Sequence, residues 1–206
     1  MKFPVKKYKN IQEYAADYLL EKNNCLKKVN FENLKQASDI LCMTYKKGKS
    51  LFVCGNGGSA SITNHFVQDH LKTISSDTSI LPRVFSLSNS IEIISAVAND
   101  ISYDEIFSYQ LNSLSKENDV LLVISSSGNS KNILKAIETG LNKKLKILSF
   151  TGFDGGKAKK LAHLNIHVDS MNYGVIEDIH QTLMHILAQY IRHKFMNKQL
   201  IVKNNF

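Results

Sequence analysis

Two sets of polar side chains recur at an interval of four along this chain. His65 and Asp69 form one; Glu177, Gln181 and His185 form the other, near the C-terminus. That interval stacks side chains on one face of a helix, one turn apart. An imidazole and a carboxylate held this way can transfer protons as a general acid and base, and the same spacing suits a metal ion. His180 falls on a different side of its helix from His185. The plain alternative for each histidine is a surface residue or a satisfied core residue, so the pairs gain meaning only from their surroundings.

Those surroundings include three turns rich in glycine and hydroxyl groups. Cys54-Gly55-Asn56-Gly57-Gly58-Ser59 follows an apolar run and leads into a helical pattern. Glycines at such a turn let backbone N–H groups approach a ligand, and the helix start beyond them favours an anion. The turn is neither GxGxxG nor a GK[ST] loop, which argues against a nucleotide as first choice. Ser125-Ser126-Ser127-Gly128-Asn129-Ser130 has the same setting, with four hydroxyls able to hold a phosphate monoester without a cation. Thr151-Gly152-Phe153-Asp154-Gly155-Gly156 is the third. Each alone reads equally as a capped tight turn. Turns that follow parallel strands, however, all meet at the carboxyl edge of the sheet, where open α/β sheets bind ligands.

The elements that must position these groups follow from apolar periodicity. Helices are expected over Ile11–Leu26 and Phe31–Tyr45, the second capped by Asn30. From Ser50 the pattern alternates between short apolar strands and helices. The strands are SLFVC, RVFSL, DVLLVIS, LKILSF and LNIHV. The helices run from Ser59 to about Lys72, around Ile91–Val97, over Tyr103–Ser115, Asn129–Leu141 and Lys157–Leu161, and from about Val175 to Phe195. Ile176, Ile179, Leu183, Ile186 and Leu187 form the apolar face of the last. Five strands separated by helices predict an α/β fold, a five-stranded parallel sheet flanked by helices in three αβα layers, with two N-terminal helices. The expected organisation is one domain over 1–206: a helical pair at 1–48, the α/β core at 49–195 and a flexible tail at 196–206. Thr73–Pro82 is the expected long loop. Strand order is not readable from this pattern.

Composition narrows the function classes. With 206 residues and 43% hydrophobic content the chain supports one domain with a proper core. Apolar runs such as Val120–Ile124 fall far short of the roughly 20 residues of a membrane helix, and the start lacks a signal-peptide core, so a cytoplasmic protein without a membrane partner is expected. Cys25, Cys42 and Cys54 form no CxxC pair and read as reduced thiols. The net charge of +8 is spread thinly, without an aromatic-interleaved basic stripe, which fits solvated faces and attraction to anionic metabolites rather than nucleic acid.

In order and spacing, CGNGGS, ISSSGNS and TGFDGG, with Ala98-Asn99-Asp100 and IEDIHQTLMHIL, resemble the sugar isomerase (SIS) fold and, within it, the phosphoheptose isomerase family. The resemblance runs from about Phe31 to Tyr190. It implies a single SIS domain, a homotetramer with active sites between subunits, and isomerisation of sedoheptulose 7-phosphate to D-glycero-D-manno-heptose 7-phosphate in bacterial heptose biosynthesis for cell-surface polysaccharide. It also implies substrate contacts from Asn56, Gly57, Gly58 and Ser59, from Asn99 and Asp100, and from Ser125, Ser127 and Ser130, with Ser126 in the same turn.

Ketose–aldose conversion needs a base to move a proton between C1 and C2 and an acid or electrophile at the oxygens. The resemblance implies His65, Asp69, Glu177 and His185 as positions that bind zinc in many members, one ion per subunit, with Asp69 and His185 also base and acid. Two positions depart from that pattern: the family's usual residue is glutamate at Asp69 and glutamine at Glu177. The catalytic set is therefore Asp69, Glu177 and His185, with the base either carboxylate. Two other functions compete: a non-catalytic SIS relative that binds a replication initiator protein, and an isomerase or sensor for another sugar phosphate. The retention of four ionisable groups favours an enzyme.

Overall fold

The computed structural model describes residues 3–203. Two helices come first, α1 (Ile11–Lys27) and α2 (Phe31–Lys46). Each starts at an asparagine: the Asn10 side chain accepts from Glu13 N, and the Asn30 side chain accepts from Glu32 N and Asn33 N, satisfying helix-start donors that would otherwise lack partners. The α/β part then runs β1 (Ser50–Gly55), α3 (Gly58–Gln68), β2 (Arg83–Ser86), α4 (Ile91–Asp100), α5 (Ser108–Leu114), β3 (Val120–Ser125), α6 (Lys131–Asn142), β4 (Lys146–Thr151), α7 (Gly156–Leu161), β5 (Leu164–His167) and α8 (Tyr173–Phe195).

All strand pairs are parallel, in the order β2-β1-β3-β4-β5. Side chains alternate across each strand, so Leu51, Val53, Val120, Leu122 and Ile124 enter a core with α2, α3 and α8, while Phe52, Cys54, Leu121 and Val123 enter a second core with α4, α5, α6 and α7. The sheet is thus buried on both faces, which explains its near-continuous apolar strands. The three cysteines are free and buried.

Local departures from the periodicity reading have physical causes. The single helix expected over Tyr103–Ser115 is a 3₁₀ turn at Tyr103–Glu105 followed by α5, with Ile106 and Phe107 of the break turned into the core. The tail holds a short helix, α9 (Lys198–Ile201), started by the Asn197 side chain; residues 204–206 lie outside the described residues. Ile186, expected with the apolar face of α8, is 41% exposed. The long segment after Thr73 is pinned to α8 by buried Arg192, whose guanidinium donates to Asp77 Oδ2 at 2.8 Å.

On α8, His180 lies fully inside the protein with Nε2 3.3 Å from Thr151 O, and burial holds its pKa down at about 4. The unfolded chain takes up this proton near pH 6.5 and the native protein does not. Stability is therefore unaffected above pH 6.5 and falls between pH 6.5 and 4, by about 3 kcal/mol in total. Urea unfolding across that range should show a shallower pH slope in His180→Gln than in the parent. Equal slopes would assign the acid sensitivity to other groups.

Candidate active site

The strand order reverses at β1: the chain proceeds from β1 to β2 on one side and returns to β3 on the other. In register, Gly55 pairs with Ile124, so the loops that leave β1 and β3 diverge side by side at the carboxyl edge, where such sheets open a crevice. A cavity of about 120 Å³ lies there, lined by Asn56, Ser59, Ile124, Ser125, Ser126, Ser127, Ser130, Tyr173 and Glu177. A larger cavity of about 740 Å³, with Met43, Lys47, Val120 and Lys146 in its lining, opens at the amino ends of the strands. It has no strand-to-helix loop, and the candidate chemistry belongs to the smaller one.

Capping does not exhaust the serine loop. Neither α3 nor α6 has a side-chain cap at its start, where Gly57 and Ser130 occupy the N-cap positions. Ser125 Oγ accepts from Gly128 N and Ser127 Oγ from Asn129 N, which shapes the turn. The buried Ser126 hydroxyl has no partner among the described residues. Open helix starts and a spare hydroxyl beside one cavity are what a phosphate needs. Gly128 is essential to this loop: its φ is +62°, and a Cβ there would strike the Gly155 carbonyl of the β4–α7 loop.

Asn56 is fixed from two sides. Its amide pairs reciprocally with that of Asn132 on α6, each nitrogen 2.9 Å from the other's oxygen, and Tyr103 Oη lies 3.3 Å from Asn56 Oδ1. Periodicity gave no hint of Asn132, Tyr103 or Tyr173, because each meets the site through tertiary packing alone. Asn99 and Asp100 bond to each other at 2.7 Å at the exposed end of α4 and do not line the cavity.

The ionisable residues divide into two groups. His65 and Asp69 from the α3 segment meet His185 from α8: His65 Nε2 lies 3.7 Å from Asp69 Oδ1, and His185 Nε2 lies 3.7 Å from Asp69 Oδ2. Asp69 begins a π-helical turn, Asp69–Thr73, that continues α3. The next residue, His70, is buried with its ring stacked on Phe66 at 3.9 Å and Nδ1 bonded to Tyr45 Oη, which locks that turn against α2. Glu177 stands in the other group. Its carboxyl lies against Gly58 at the start of α3, where a Cβ would collide with it, and burial, with Asp178 adding to it, raises its pKa. The expected four-residue set of His65, Asp69, Glu177 and His185 is not gathered at one point: the group with ligand atoms within 4.8 Å of one another is His65, Asp69 and His185.

Comparison with known proteins agrees with this architecture. A family model described as the SIS domain matches residues 16–152. Phosphoheptose isomerase of Helicobacter pylori is 39% identical over 167 residues, covering 81% of this chain and 86% of the relative. That of Buchnera aphidicola is 37% identical over 89% of this chain and 96% of its own length. The solved phosphoheptose isomerase from Neisseria gonorrhoeae superposes with a TM-score of 0.82 at 26% identity, covering 89% of this chain and all of that one. The fold and its loops thus define a SIS domain protein. Within that class, the chain belongs to the phosphoheptose isomerase family.

The loop analysis makes a stability prediction. Gly48 also has positive φ, at +63°, but a Cβ there meets nothing within 4 Å. Gly48→Ala should cost about 1 kcal/mol from backbone conformation alone, and Gly128→Ala about 2–4 kcal/mol because a clash is added. Urea unfolding measures both; equal costs would mean that the contact between the β3–α6 and β4–α7 loops is immaterial.

Proposed function

We infer that this chain is an aldose–ketose isomerase that interconverts sedoheptulose 7-phosphate and D-glycero-D-manno-heptose 7-phosphate, serving heptose biosynthesis for cell-surface polysaccharide. The observation that carries the reading is a half-buried carboxylate, Glu177, in the same cavity as the serine loop. Its family membership supports the reaction class.

The phosphate is held by Ser125, Ser126, Ser127 and Ser130 and the open start of α6, while Asn56, Gly57, Gly58 and Ser59 bind the sugar. Glu177 takes a proton from C1 of the ketose, giving an enediol as the C2 oxygen gains a proton. The same carboxyl, its proton exchanging with solvent at the enediol stage, then delivers a proton to C2 while the C1 hydroxyl loses its own, leaving the aldehyde. A pKa raised by burial makes this carboxylate a stronger base for taking that proton. Asp69, the alternative base, is bound up with two imidazoles.

His65, Asp69 and His185 fit a zinc ion. Donors on a tetrahedral zinc with bonds of about 2.0–2.2 Å stand about 3.3–3.6 Å apart, and the carboxylate–imidazole separations here are 3.7 Å. Bound there, one ion per subunit would supply the electrophile for the sugar's oxygens, a task that His185 as acid performs without it. A homotetramer with active sites between subunits is part of the proposal. Exposed Leu19 and Leu20 on α1 and Tyr190 on α8 offer apolar surface, and Asn99 and Asp100, outside their own cavity, would then serve a neighbour's. Among the described residues no helix is long and apolar enough to cross a membrane. A cytoplasmic setting is proposed from its role in sugar-phosphate metabolism.

Incubating the protein with sedoheptulose 7-phosphate in D₂O, with and without added zinc, should yield the aldose with deuterium at C2 by NMR. Glu177→Gln should lower kcat about 10²–10⁴-fold with little change in KM. Ser125→Ala combined with Ser127→Ala should weaken substrate binding more than about tenfold, since each hydrogen bond to a charged group contributes about 1.5–3 kcal/mol. Absence of turnover under both conditions would sink the isomerase reading and favour the non-catalytic regulator or a sensor of another sugar phosphate.

A further inference from the structure

We propose that Gln181 completes the ion site, in the place that family resemblance gives to Glu177. This inference rests on the zinc reading above. The tip of the Gln181 amide lies 3.0 Å from His65 Nδ1 and 3.1 Å from His185 Nε2, bridging α8 to α3 across 116 positions of sequence. No other polar side chain of α8 reaches both imidazoles in the hydrogen bonds of the described residues. Oxygen and nitrogen of an amide are interchangeable by a half-turn, so the same tip position can present the carbonyl oxygen. At His185 the amide, at 3.1 Å, and Asp69, at 3.7 Å, face the same Nε2, and these separations bracket the donor spacing of a tetrahedral zinc, about 3.3–3.6 Å; at His65 the amide faces Nδ1 and Asp69 faces Nε2. The resulting donor set is two imidazoles, one carboxylate and one amide.

Glu177 is poorly placed for that role. It stands outside the group whose ligand atoms lie within 4.8 Å of one another, which is His65, Asp69 and His185. Its carboxyl lies beside Gly58 and lines the serine-rich cavity. Gln181 lies only one turn before His185, on the same polar stripe. The two departures from the family pattern then have separate meanings. The carboxylate at 177 is free for proton transfer because the amide at 181 attends the ion.

Zinc affinity is measured on the full chain by competition with a chromogenic chelator, for the parent, Gln181→Leu, Gln181→Glu and Glu177→Gln. Gln181→Leu should weaken zinc binding about 10–100-fold and change the visible spectrum of the cobalt(II)-substituted protein. Gln181→Glu, which keeps an oxygen at that reach, should stay within a few-fold of the parent, and Glu177→Gln should match it. A Gln181→Leu protein that holds zinc as tightly as the parent, or a Glu177→Gln protein that loses it, would overturn the assignment while leaving the zinc reading intact. A parent that takes up no zinc would overturn both.

Discussion

The backbone ladder between β1 and β3 sets Gly55 beside Ile124, and the chain leaves those two strands in opposite senses along the sheet. Parallel strands all release their loops at one edge, so the glycine-rich and serine-rich loops emerge next to each other with two uncapped helix starts behind them. Everything proposed about phosphate recognition depends on this register. Slipping it by one residue would invert which strand side chains enter which core, so burial of the sheet on both faces holds the loops in place. The apolar core therefore fixes the geometry of a polar site that contributes little to it.

The second determinant is the packing of α3 against α8. Shared burial of Ile62, Phe66, Ile179 and Leu183 brings the polar edges of both helices together, so that residues more than a hundred positions apart become neighbours. Along α8 the polar stripe then meets two environments. Glu177 lies against the start of α3 and faces the serine cavity, while Gln181 and His185 lie against His65 and Asp69. In the proposed reading one helix serves a proton-transfer carboxylate and an ion-binding cluster without placing them at one point.

The π-helical turn beginning at Asp69 fits this picture. An aspartate is one methylene shorter than the family's usual glutamate, and π-helical turns inside helices change where side chains project. His70, buried against Phe66 and bonded to Tyr45, anchors that turn from behind, so the shorter carboxylate still lies within 3.7 Å of both imidazoles.

Much of the molecule is legible in its residues. The alternation of short apolar strands with amphipathic segments specifies a doubly covered parallel sheet, because only such a sheet buries both faces of every strand. Asn30 announces a helix start, and the residue types of the loops at Gly55–Ser59 and Ser125–Ser130 single them out as a candidate anion site. A spacing of four places Glu177, Gln181 and His185 on one helical stripe. Local pattern cannot go further, since strand order, the reciprocal amides of Asn56 and Asn132, and the break at Ile106–Phe107 arise from contacts between distant segments. The division of labour proposed for Glu177 and Gln181 belongs to the same class. It is decided by where α3 begins and ends relative to α8, a relation set by the packed core and written in no single stretch of sequence.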